Sequence, residues 1–315
     1  MRPRIEKRAE TRSAFLRRIE PFPRARDALR AFIARIAPAS RGTVLLPAYV
    51  GWSPREGSGV FDPLRELAAQ YAFYRVDRAL RIDLDDIRKR LESIRPGVVL
   101  LIHYFGFPDP AYREVARLAR EAGALVVEDE AHALFSDLVG GACGRAGNAS
   151  LFSLHKMLPV PSGGLLVVND PGLGCGEPES GSEQSGLVSY LGQYDLASIA
   201  AVRVRNATFL TEALAPLAPD LEPLRPELPP GVIPQTLPVI LKRAPRDEIY
   251  RLMNEAGFGV VSLYHSLIAE LSTEEFPDSY WLSRRILNLP VHQDTTIDAL
   301  AEMVDHLQEL LARWS

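Results

Sequence analysis

Residues 98–129, VVLLIHYFGFPDPAYREVARLAREAGALVVED, decide the fold. An unbroken apolar run, Val98 to His103, leads into a turn carrying Gly and Pro. Tyr112 to Ala122 then reads as a helix ended by Gly123, and a second apolar run, Ala124 to Glu128, closes on Asp129. Strands without polar alternation, separated by helices, belong to a parallel sheet covered on both faces. Two further apolar runs, Ala149 to Leu154 and Gly164 to Val168, extend the same sheet.

On the N-terminal side the spacing of Ala28, Leu29, Phe32, Ile33 and Ile36 predicts a helix over 24–36, stopped by Pro38. A strand over 43–46 is closed by Pro47. A helix over 61–69, a strand over 72–76 and a helix over 83–94 follow, the last with Asp83 as N-cap and Asp86 three residues on. On the C-terminal side, residues 171–186 (PGLGCGEPESGSEQSG) have the composition of a loop. A long helix from Leu196 to about Leu217 comes next, then a proline-rich connection over 219–233. A strand over 236–241, a helix over 246–256, a strand near Val260, a strand over 286–289 and an amphipathic helix over 297–314 complete the chain. The expected organisation is a large α/β domain over 1–195, its first twenty residues a solvated basic helix or arm, and a smaller α/β domain over 196–315.

Composition narrows the function classes. Of 315 residues 47% are hydrophobic, which supports a sizeable core, and the net charge of −4 offers no basic footprint for nucleic acid. No run approaches the roughly 18 apolar residues of a membrane span. The first residues, MRPRIEKRAETRSAF, contain no apolar segment of a secretory signal. Two cysteines, Cys143 and Cys175, make neither a disulfide framework nor a zinc set. A cytoplasmic enzyme is the expectation.

Several residues stand where chemistry needs them. Lys156 follows a predicted buried strand in FSLHKMLP, with no acid within five positions. Desolvation there would favour the neutral amine that attacks a carbonyl, whereas a lysine in a surface turn is the ordinary alternative. Asp129 closes a strand of a parallel sheet, where ligands bind beyond the carboxyl ends, and an acid there can pair with a protonated ring nitrogen. A helix N-cap or turn aspartate is its plain alternative. Ser153, near the turn, can bind a phosphate oxygen, and Gly163-Gly164 allows a sharp reversal into the next strand. Glu128, Asp129, Glu130 and His132 could be read as metal ligands, with His103 and His155 also at strand ends, but the spacing does not match H-E-x-x-H and no companion His/Cys cluster stands out. No G-x-S-x-G, no G-x-G-x-x-G after a strand and no Walker loop is present.

The order of these pieces is more specific than any one of them. Glu128-Asp129, then Ala131-His132, the glycine-rich stretch 140–149, Phe152-Ser153, Lys156 and Gly163-Gly164, preceded by His103-Tyr104-Phe105-Gly106 and followed by residues 282–292 (LSRRILNLPVH), resemble the DegT/DnrJ/EryC1/StrS family of PLP-dependent sugar aminotransferases. The resemblance implies a PLP-dependent transferase of fold type I and the cofactor pyridoxal 5′-phosphate. It implies Lys156 as the Schiff-base lysine and proton shuttle, and Asp129 on the pyridine nitrogen. His132 would stand near the phenolic oxygen, with Ser153 and the helix start at Ala25-Arg26 on the phosphate. The ring-stacking aromatic would be Tyr49 or Trp52, Tyr49 being the first choice. It further implies an amino acid donor, with glutamate expected, a carbonyl acceptor such as a nucleotide-linked keto sugar, and a homodimer. The serine-to-lysine spacing of three is shorter than the family's, and the glycine of its early phosphate turn is missing. Another PLP-dependent reaction, or a non-catalytic subunit of the same fold, are the competing readings.

Overall fold

The computed structural model describes residues 17–36, 42–170, 172–173 and 191–314. The expected loop over 171–186 therefore falls outside the described residues except at Gly172 and Leu173, as do residues 1–16 of the expected arm. The end of that arm is neither helical nor free, although Arg18 and Ile19 are exposed. Arg18–Phe22 form strand β1, and Arg17 hydrogen-bonds Asn169, the Gly144 carbonyl and Ser150, and is ion-paired with Asp137.

A seven-stranded sheet runs in the order β1-β7-β6-β5-β4-β2-β3. It comprises β1, β2 (Val44–Pro47), β3 (Tyr71–Tyr74), β4 (Val98–Ile102), β5 (Leu125–Asp129), β6 (Ala149–Ser153) and β7 (Gly164–Val168). Strands β2 to β6 are mutually parallel; β7 is antiparallel to both β6 and β1. Nearly all residues of β4 to β7 are buried, as their unalternating sequence requires. At about 1.5–3 kcal/mol for each fully buried Val, Leu or Ile, this sheet core outweighs any single turn or cap.

The helices follow the sequence closely. Helix α1 (Ala25–Ile36) packs on β6 and β7, and α2 (Asp62–Glu66) lies against α1. Helix α3 (Leu84–Ile94) is capped by Asp83, whose carboxylate accepts from the main-chain N–H groups of Asp85 and Asp86. Helix α4 (Tyr112–Glu121) packs on β5, and a short α5 (Leu134–Leu138) follows the acidic motif.

A second sheet, β10-β9-β8, is wholly antiparallel: β8 (Leu221–Pro223), β9 (Thr236–Leu241) and β10 (Ile286–Pro290). Helices α6 (Leu196–Ala213), α7 (Arg246–Glu255) and α9 (Ile297–Leu311) cover it around a separate hydrophobic core; α8 (Pro277–Ser283) precedes β10. The strand expected near Val260 is a single bridge, Val261 to Asn288, and the connection over 219–233 contains the short β8.

The two sheets meet at the turn after β4. Phe105 (φ 58°) and Gly106 (φ 93°) are consecutive left-handed residues. A Cβ on Gly106 would stand 2.7 Å from the Ile233 carbonyl and 2.8 Å from the Gln235 nitrogen, so only glycine lets the segment leading into β9 approach.

Candidate active site

Ligands of parallel α/β sheets bind beyond the carboxyl ends of the strands. Here those ends surround a cavity of about 570 Å³. Lys156, Asp129, His132, Ser153, Ala25 and Arg26, scattered from position 25 to position 156, all line it.

Lys156 ends a single 3₁₀ turn directly after β6. Its side chain reaches solvent through the cavity, while its amine is ringed by protein groups. Its Nζ lies 3.1 Å from His132 Nε2. Desolvation lowers the amine's pKa and Arg26 adds to that, whereas Asp129 and Glu56 oppose it. The carboxyl of Asp129, at the end of β5, is raised by burial and pulled back by Lys156 and by the Ala131 N–H, which donates to it at 3.0 Å. The imidazole of His132 is lowered by burial and by Lys156.

Glu128 and Asp129 face opposite ways, as successive strand residues must. The two therefore do different work. Glu128 accepts hydrogen bonds from the main-chain N–H groups of Gly144, Ala146 and Gly147 and faces His103 Nε2 at 2.8 Å. Burial alone would raise its pKa, but His103 and these N–H donors hold it at about 2. The glycine-rich stretch is thus wound around a buried carboxylate, which fixes the strand that presents Asp129. This geometry does not make Glu128 and Asp129 ligands of one metal.

At the opposite wall, α1 begins against the Gly163-Gly164 reversal. A Cβ on Gly164 would stand 2.2 Å from the main-chain carbon of Arg24. The close approach brings Ala25, Arg26 and Ser153 to one side of the cavity. A helix N-terminus next to a serine hydroxyl suits an anion. Arg26 is itself held, donating to the Glu56 carbonyl at 2.6 Å and lying 3.7 Å from Asp62. Ser153 Oγ is 3.4 Å from His155 Nδ1.

Tyr49 is corrected. It is wholly buried and does not line the cavity, because its ring is packed against Tyr104 and Tyr264 at 5.6 and 5.2 Å. Trp52, the second choice, does line the cavity and is 43% exposed. Sequence reasoning missed Tyr264, a cavity residue in the left-handed region (φ 59°) whose ring lies 5.9 Å from that of His132. It also missed Arg55 and Glu56 on the loop after β2. Gly51 was the available signal, since a Cβ there would meet Tyr264 Cδ1 at 2.8 Å, but nothing in the sequence names the partner that fills that space.

Residues 59–174 match the profile of the DegT/DnrJ/EryC1/StrS aminotransferase family. The chain is 26% identical over 280 residues to a dTDP-4-dehydro-2,3,6-trideoxy-D-glucose 4-aminotransferase of Saccharopolyspora spinosa, covering 76% of this chain and 72% of that one. A shorter stretch of 91 residues, 27% of this chain and 21% of the relative, is 36% identical to a serine hydroxymethyltransferase of Pyrobaculum islandicum. Among solved structures, the aminotransferase TlmJ of Streptoalloteichus hindustanus superposes with a TM-score of 0.75 at 20% identity, over 94% of this chain and 86% of that one. Profile, fold and the order of the motifs agree: over residues 59–174 the chain is similar to the DegT/DnrJ/EryC1/StrS aminotransferase family, and its whole fold is that of the solved aminotransferase.

Proposed function

We propose that the protein is a pyridoxal 5′-phosphate-dependent aminotransferase that passes an amino group from an amino acid, glutamate being the expected donor, to a nucleotide-linked keto sugar. The observation that carries the reading is the meeting of Lys156 and Asp129 across one cavity, with Lys156 Nζ beside His132.

The residues present fit the cofactor. Asp129 would pair with the ring nitrogen and keep it protonated, Lys156 would hold the aldehyde carbon, and Ser153 with the N-terminus of α1 would receive the phosphate. The cofactor supplies an electron-withdrawing ring that stabilises charge at the substrate's Cα. The chain's own part is positional and protonic. Lys156, as a free amine, would accept and carry the proton of the substrate Cα. Burial raises the Asp129 carboxyl, so a cation opposite it would stabilise the carboxylate, and this favours a protonated ring nitrogen as its partner.

The acceptor class rests on the mouth of the cavity and on the relative's stated substrate, a dTDP-linked dehydro sugar. Trp52 offers a ring face, and Arg55 is an exposed guanidinium with no ion pair among the described residues. An aromatic face and a free cation suit a base and its phosphates. The short match to a serine hydroxymethyltransferase favours a second reading, in which the same lysine serves a different reaction at the amino acid's Cα. Spectroscopy of protein reconstituted with the cofactor separates them. Glutamate should bleach the visible band, and a dTDP-linked 4-keto sugar should restore it. A band unmoved by glutamate but altered by serine would replace the first reading with the second.

A further inference from the structure

The imidazole of His132 carries two hydrogen bonds that together leave no freedom in where its proton sits. The main-chain N–H of Phe105 points at Nδ1 at 3.2 Å, and Nε2 lies 3.1 Å from Lys156 Nζ. A main-chain N–H can only donate, so Nδ1 must present its lone pair. In a neutral imidazole the proton then stands on Nε2, directed at the lysine. An N–H facing a nitrogen at that distance needs a lone pair to receive it, and an ammonium has none.

We propose that Phe105 is a positioning residue: its main-chain N–H fixes the His132 proton on Nε2, and that proton obliges Lys156 to be held as a free amine. The opposite arrangement, an ammonium donating to Nε2, would move the histidine proton to Nδ1, into a 3.2 Å gap already holding the Phe105 hydrogen. The inference concerns the amine before any cofactor arrives; only its use in amino transfer rests on the function proposed above.

The turn around Phe105 is built to hold that N–H in place. Phe105 has φ 58° and ψ 17°, a conformation that a residue with a side chain avoids. It is kept there from both sides. The Phe105 carbonyl accepts from the Gln235 N–H at 2.8 Å, and the Gly106 carbonyl accepts from Ser136 Oγ at 2.7 Å. The Phe105 ring is stacked on the imidazole at 5.9 Å with planes 17° apart, so ring and N–H both set the histidine's orientation.

The other groups facing the amine divide. Asp129 and Glu56 favour an ammonium, while Arg26, His132 and His155 surround the same position. The phenol of Tyr264, beside His132, is pushed up by burial. Two carboxylates would thus draw a proton onto Lys156, and the Phe105–His132 pair opposes them by geometry, alongside desolvation and Arg26.

Long-range proton–nitrogen NMR on the cofactor-free protein with labelled histidine reads the tautomer directly. The expected spectrum has His132 Nδ1 unprotonated and Nε2 protonated through the neutral range. A proton on Nδ1, or a doubly protonated ring, overturns the proposal whether or not the protein binds pyridoxal phosphate. Phe105→Gly keeps the N–H and the left-handed turn, so the tautomer should persist; its loss there would assign the effect to the ring instead. The pH profile of Lys156 carbamylation by cyanate, read by mass spectrometry, supplies a second measurement. His132→Phe should slow it about tenfold at neutral pH, equivalent to about one pKa unit. His132→Gln, which can accept from Phe105 and donate to the lysine, should stay near the unaltered protein. An unshifted profile in His132→Phe would show that the amine owes nothing to the imidazole.

Discussion

Burial raises the Asp129 carboxyl and lowers the Lys156 amine, so each leans towards its neutral form. A third group acts on each: the Ala131 N–H favours the carboxylate, and His132 Nε2 faces the amine and favours its free form. Replacing Asp129 by Asn preserves the shape and removes the charge. The expected result is a loss of transamination on the order of 10²–10³, the scale of removing one preorganised electrostatic contact, with a smaller loss of cofactor affinity. Steady-state rates and a cofactor titration measured together check this. Equal losses in both would show that Asp129 acts only in binding.

At the scale of the element, the unit to consider is β5 with the glycine-rich loop folded over it. Glu128 is fully ionised in this setting, because His103 and three main-chain N–H groups outweigh its burial. A carboxyl held at about 2 contributes stability that is complete above the ordinary glutamate range and is lost as pH falls through about 2. The displacement corresponds to about 3 kcal/mol. Chemical denaturation across the acid range should show that slope in the unaltered protein and a flattened one in Glu128→Gln, which should also be less stable at neutral pH. An unchanged slope would mean that other carboxyls govern the acid transition. Local sequence signals served well at this scale. The strands around Val99 and Val126 declare themselves by unbroken apolar runs, and Asp83 declares the start of α3. What stayed hidden depends on distant partners. The antiparallel sense of β7 is imposed by its Gly163-Gly164 reversal against α1, and β1 exists because it pairs with β7. The sequence could not separate the roles of Glu128 and Asp129 until strand alternation sent one into the glycine loop and the other into the cavity. Tyr49 looked like a cofactor-facing ring only because neither Tyr104 nor Tyr264, which enclose it, adjoins it in sequence.

Across the whole molecule, the lysine turn and the second sheet are joined through one buried cation. Arg203, on α6, donates to the carbonyls of Met157, Pro234 and Gln235 and lies over the Phe135 ring at 5.4 Å. Burial lowers its pKa to about 10, with Asp294 opposing. Met157 directly follows Lys156, and Gln235 leads into β9, so Arg203 ties the Lys156 turn to the segment that also grips Phe105. Arg203→Leu keeps the apolar stem and strands these carbonyls, at about 1–3 kcal/mol for the group left unpaired. Thermal unfolding should fall accordingly, and Lys156 should bind the cofactor less tightly; full retention of both would remove Arg203 from the account. The reactive amine is expected at one position, and the chain has only four lysines to compare: Lys7, Lys89, Lys156 and Lys242. Protein treated with pyridoxal phosphate, reduced with borohydride and mapped by peptide mass spectrometry should carry the label on Lys156 alone, and Lys156→Ala should carry none. A label spread over Lys89 and Lys242, or undiminished in the variant, would contradict the assignment.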